Sequence, residues 1–217
     1  MENHVQPPRA AEAGARGRPS PETTKLRQAR LLGVARGTFL RRGYHATTMA
    51  EVAAAGGVTK RTLYAWHQDK EALFRACVEA GAERFPRLEP RADERPEAVL
   101  ERYVIELHGE LAQEESYGIG LLFMREAADF PELGDSVRRG YLDYLIEPLA
   151  AYLRQHRLEE EGAQERTMLF VAMALSPLHN RMLMGMALPD ADEVRRHAHC
   201  CVNIMFRGAR TPPALIL

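Results

Sequence analysis

Two short helix signatures lie back to back between Thr47 and His67, separated by a pair of glycines. Thr48, with Glu51 three residues on, fits a capping box, so a helix is expected to start at Met49. Val52 and Ala55 give it an apolar face. Gly56 and Gly57 end it, because glycine takes the left-handed conformation that a helix C-terminus needs. Thr59 caps a second helix from about Lys60 to His67. Two short helices joined by a tight turn containing glycine make a helix-turn-helix. The first residues of its second helix face base edges in the major groove of DNA. Here they are Lys60, Arg61 and Thr62, cationic or hydroxyl donors suited to bases and phosphates.

The flanking segments complete a small helical unit. A preceding helix is predicted over residues 24–42, with Leu32, Ala35 and Phe39 on one face and Leu31 and Val34 close by. Gly33 and Gly37 weaken it by roughly 0.5–1 kcal/mol each, and Gly43 ends it. Asp69 caps a following helix over residues 70–84, whose apolar face carries Leu73, Cys77 and Ala80. Cys77 therefore reads as a small core residue.

Across residues 24–80 these features resemble the TetR family of one-component transcriptional regulators. Ala35, Phe39, Gly43 and Tyr44 match its first helix. Thr47, Thr48, Ala53, Gly57, Val58, Thr62, Leu63 and Tyr64 match its turn and recognition segment. Trp66, Lys70, Glu71 and Leu73 match the step that follows. Gly56 stands where the family usually has alanine, and His67 where it usually has phenylalanine. The segment from Phe123 to Leu145 and the ending Phe206-Arg207-Gly208 resemble one subgroup's ligand domain. The resemblance implies repression more often than activation, a dimer-forming four-helix bundle, and a phosphate contact by Tyr64. Thr48 and Lys70, at helix N-termini, are expected at phosphates, where backbone amides favour an anion. Thr59 and His67 complete the expected DNA-binding set; for His67 a core position is the alternative.

Composition agrees with a two-part chain. Residues 1–84 hold 14 Lys and Arg against 8 Asp and Glu; residues 85–217 hold 15 against 22. A basic first part beside an acidic remainder suits a DNA-binding domain joined to a domain of another kind. Hydrophobic residues make up 46% of the 217, enough for a real core. Cys77, Cys200 and Cys201 cannot form a disulfide framework, so a reducing cytoplasm is the expected setting. No signal-peptide run opens the chain, and Met168–Leu175 is far too short to span a membrane.

The expected architecture is all-α: a disordered basic arm (1–22), a three-helix helix-turn-helix domain (23–85), and a helical ligand-binding and dimerisation domain (86–217). Arg9, Arg16 and Arg18 of the arm either reach a minor groove or only aid solubility. In the last domain helices are predicted over 96–113, 118–129, 131–156, 163–186 and 190–207. Pro148 and Pro177 lie inside helical pattern and strip hydrogen bonds from the carbonyls of Tyr144 and Met173, so both helices should kink. Five methionines fall between Met168 and Met186, as a permissive apolar pocket or plain core packing would have them. A small hydrophobic effector is expected between the kinks, near Tyr103, Leu107, His108, Phe123, Tyr144, Met173 and Pro177. One recognition helix reads too few base pairs for selectivity, so a homodimer on a palindromic operator is expected, joined through the last two helices.

Other chemistries find little support. His197 and Cys201 stand one turn apart, as two metal ligands would, yet no second ligand cluster has zinc-like spacing. No nucleophile elbow, His-Glu-x-x-His or phosphate-binding glycine loop occurs; Gly118-Ile119-Gly120 lacks a third glycine and a preceding strand. Cys200 and His179 would form a dyad only by chance placement. No cofactor, metal or catalytic residue is expected. A ligand-independent DNA-binding protein remains the main alternative, and its discriminating property is operator release by a small molecule.

Overall fold

The computed structural model describes residues 21–156 and 163–210, and among these it is helical with no strand. The expected basic arm therefore lies outside the described residues, apart from its last two positions.

The N-terminal unit contains α1 (Pro21–Ala46), α2 (Met49–Ala55), α3 (Lys60–Trp66) and α4 (Lys70–Ala82). Regular helix in α1 breaks at Gly43, whose φ of +81° only glycine adopts easily. Thr48 and Glu51 form the expected capping box, with each side chain bonded to the other's backbone N–H. The turn after α2 uses its two glycines differently. Gly57 is left-handed, at φ +65°, but Gly56 is right-handed at −81°. Gly56 is small for another reason: a Cβ there would lie 2.4 Å from Leu31 Cδ1. Ala53, and not Ala55, joins Val52 in the core; Ala55 is exposed.

The remaining helices are α5 (Pro96–Leu111), α6 (Glu114–Glu126), α7 (Pro131–Tyr141), α8 (Glu147–Gln155), α9 (Ala163–Met184) and α10 (Ala191–Arg210). Helix α6 starts four residues before its expected position. The single helix expected over 131–156 is instead α7 and α8 joined through a π-helical turn, Leu142–Ile146. Pro148 has no N–H for the carbonyl of Tyr144, and the widened turn lies just before it, with the Glu147 N–H reaching Leu142 O.

Two apolar clusters hold the molecule. One joins α5, α8, α9 and α10 through residues such as Leu100, Leu107, Leu149, Phe170 and Val202. The other packs α1 to α4 around Phe39, Tyr44 and Phe74, whose rings meet at 5.3–5.8 Å. Leu122 of α6 and Leu133 of α7 belong to this second cluster, so the core of the first four helices continues into the later ones.

At Pro177 the chain supplies its own partners for the opened turn. Met173 O, which loses its intrahelical donor, receives His197 Nε2 at 2.7 Å and the Ser176 hydroxyl at 2.8 Å. Next to it, Ala174 O lies 2.7 Å from His108 Nε2. Both freed or loosened carbonyls are thus met by side chains of this chain.

Candidate DNA-binding surface and ligand cavity

Leu63 is the buried residue that seats α3 on the N-terminal core. This leaves Lys60, Arg61 and Tyr64 facing outward, Tyr64 with 51% of its surface exposed. Lys60 and Arg61 make no hydrogen bond or ion pair among the described residues. Thr59 caps α3 by accepting the Thr62 N–H at 3.1 Å, and the two hydroxyls meet at 2.8 Å. The structure therefore brings Thr59, Lys60, Arg61, Thr62 and Tyr64 together on one short outward helix.

Three other sequence-selected residues have internal roles. The exposed Thr48 hydroxyl bonds Glu51 Oε2 at 3.0 Å, and the two Thr48 bonds hold the Glu51 carboxyl below its usual range. Lys70 Nζ donates to Tyr44 O at 2.9 Å and His45 O at 3.2 Å, and lies 4.4 Å from the Tyr44 ring centre. It closes the broken end of α1, and partial burial pulls its pKa down. His67 caps the C-terminus of α3; its Nε2 is buried and has no partner among the described residues, and burial lowers its pKa.

A cavity of about 610 Å³ lies among α1, α4, α6, α7 and α9 and the end of α5. Its wall is mostly apolar. Arg36 comes from α1, Cys77 and Val78 from α4, Ile119 and Phe123 from α6, Val137 from α7, and Leu178 and Met182 from α9. Burial pushes the Cys77 thiol up to about 12, so it is an inert part of this wall.

Of the residues selected from sequence for a ligand, Phe123 is on the wall. Tyr103 and Leu107 sit in the α5–α10 core, and the buried Tyr103 hydroxyl has no partner among the described residues. His108 serves the Pro177 turn, while Tyr144, Met173 and Pro177 lie off the wall. His179, also on the wall, was missed. The available signal was the pair of glycines inside α6. A Cβ at Gly118 would meet Leu40 Cδ2 at 2.8 Å, and one at Gly120 would meet Met182 Cε at 2.7 Å.

His197 and Cys201 do meet, with Sγ to Nε2 at 3.2 Å, but the same nitrogen is committed to Met173 O. Among the described residues no three His, Cys, Asp or Glu side chains group as metal ligands. Nor, among them, is any helix long and apolar enough to cross a membrane.

Residues 31–77 match the family model for bacterial regulatory proteins of the tetR family. No curated protein matches the chain. Among solved structures, a TetR transcriptional regulator from Agrobacterium tumefaciens is similar at a TM-score of 0.68 and 26% identity, over 87% of this chain and 94% of that one. The flavonoid-responsive regulator FrrA is similar at 0.65 and 21% identity, over 84% and 96%. NalD, the secondary repressor of the MexAB-OprM multidrug efflux pump in Pseudomonas aeruginosa, is similar at 0.62 and 22% identity, over 85% and 97%. With the helix-turn-helix of α2 and α3 seated on α1 and α4, residues 31–77 match the DNA-binding domain of the tetR family of bacterial regulatory proteins, and the chain as a whole is similar in fold to TetR-family regulators.

Proposed function

We propose that this protein is a homodimeric repressor released from a palindromic operator by a small, largely apolar molecule. In this reading Lys60, Arg61 and Thr62 read bases, with Thr48, Thr59 and Tyr64 at phosphates. Their outward, unpaired cationic groups support that role. The observation that carries the ligand-responsive part is the cavity itself. It is within the size range of small-molecule sites, and α1 and α4 share its wall with α6, α7 and α9. An occupant would therefore touch the helices that support the recognition segment. It would act through its different affinity for two settings of those helices. FrrA and NalD, named for flavonoid response and for repression, add support by analogy only.

The dimer contact is proposed on α9 and α10. Met168, Leu169, Leu183 and Met184 of α9 and Ile204 of α10 are large apolar side chains left exposed.

Selection of bound duplexes from a random pool, followed by release with a metabolite extract, tests the whole reading. A palindrome released by a component of the extract is the expected result. Val137→Trp should fill the cavity and abolish release while duplex binding persists. Release that is equal in this variant and the parent would move the effector site elsewhere.

A further inference from the structure

The cavity wall is mostly apolar; its charged or polar members include Arg138 of α7, His179 of α9 and an ion pair between Arg36 of α1 and Glu115 of α6. The two partners are unequal. The Arg36 side chain is only 9% exposed, whereas Glu115 is 56% exposed. Arg36 Nη1 bonds Glu115 Oε2 at 2.6 Å, but Arg36 Nε is buried with no acceptor among the described residues. A permanently charged guanidinium has five donors, and leaving one buried and unpaired is unfavourable. Glu115, in contrast, has a second cation at hand: Arg84 Nη1 lies 3.8 Å from the same oxygen. Arg84 is itself fixed by Glu110 at 2.7 Å and Ser116 at 3.3 Å.

From this asymmetry we infer that the cavity takes an apolar monocarboxylate, whose carboxylate replaces Glu115 on Arg36. This rests on reading the cavity as the effector site. A carboxylate across the Nη1–Nη2 end of a guanidinium accepts two parallel N–H bonds, where Glu115 accepts one. The displaced Glu115 keeps Arg84. The apolar body lies against Val78, Phe123, Val137 and Leu178. A neutral alcohol supplies an acceptor without the charge. An amine suits Glu115 but brings a second cation against the buried Arg36, which cannot deprotonate. The exchange also has a direction. The Arg36–Glu115 bond joins α1 to α6, and an acid that takes Arg36 removes that link between the DNA-binding helices and the ligand helices.

Calorimetric titration of the full chain, without DNA, tests this with two sets of probes. One set is decanoate, decan-1-ol and decylamine; the other is 2-naphthylacetate with its alcohol and amine counterparts. At least one acid should bind about tenfold or more tighter than its alcohol and amine. Arg36→Gln should erase that preference. Glu115→Gln, at an exposed position, should strengthen acid binding several-fold by removing the competing carboxylate. Equal binding of acid and alcohol, a preference for amine, or an acid preference unchanged in both variants would overturn the inference. Binding of none of the probes would overturn it too. Duplex binding is measured separately by gel shift. Operator binding without acid preference leaves the regulator reading intact, whereas loss of operator binding counts against that reading.

Discussion

His67 shows what a single atypical residue does in this fold. Its Nε2 is buried without a partner among the described residues, in a place where the family resemblance implies phenylalanine. Burial depresses its pKa, as it does for His108 and His179. Such a group binds its proton more weakly folded than unfolded. Its share of stability is therefore complete above about pH 6.5 and is lost as pH falls toward the lower folded value. His67→Phe should raise stability by about 1 kcal/mol at neutral pH and more at pH 5.5, with operator affinity unchanged. Urea unfolding at both pH values and a gel shift check this; weaker operator binding would restore a phosphate role. Lys70 makes the converse point. Sequence assigns it to phosphate, but its ammonium holds two α1 carbonyls. Lys70→Met should lower stability by about 1–2 kcal/mol even without DNA. An unchanged Tm would show that these bonds contribute nothing and return Lys70 to the DNA surface.

At the scale of elements, prolines and glycines govern the departures from regular helix. Pro148 was visible in the sequence, but the response to it, a π turn between α7 and α8, was not. That response depends on how the segment packs, which no local pattern encodes. At Pro177 the freed carbonyl of Met173 was legible, and its partners were not. His197 lies on another helix, 24 residues on. These facts give a coupled prediction. His197→Ala should cost about 1–2 kcal/mol in the parent, because it strips a bond from a partly buried carbonyl. In a Pro177→Ala background the cost should shrink, since residue 177 regains an N–H for Met173 O. A double-mutant cycle in urea measures this coupling; strictly additive effects would contradict it.

Across the whole molecule, the dimer proposal depends on residues that one chain leaves uncovered. Leu169 and Leu183 of α9 are 64% and 70% exposed, an unfavourable arrangement for a lone chain but suited to a two-fold contact. Leu169→Glu with Leu183→Glu should yield a folded monomer by sedimentation, with a normal helical circular-dichroism spectrum. Its binding to a full palindrome should fall at least about tenfold, as one half-site is lost. A parent protein that sediments as a monomer at micromolar concentration would refute the dimer.

The sequence by itself determined the short-range features. The capping box at Thr48 and Glu51, the left-handed Gly57 and the Thr59 cap all follow from spacings of a few residues. Local hydrogen bonding and side-chain periodicity suffice to specify them, and with them the helix-turn-helix and the all-α class. Only the tertiary structure decided the cavity. Its wall combines Arg36, Cys77, Phe123, Val137 and Met182, from five helices far apart in the chain. Empty space between helices is set by which faces pack and at what angle. The apolar stripe of each helix looks the same whether it meets a neighbour or lines a void. For that reason Tyr103 and Leu107, expected near a ligand, lie in the core, while Arg36, which no sequence pattern singled out, is buried on the cavity wall.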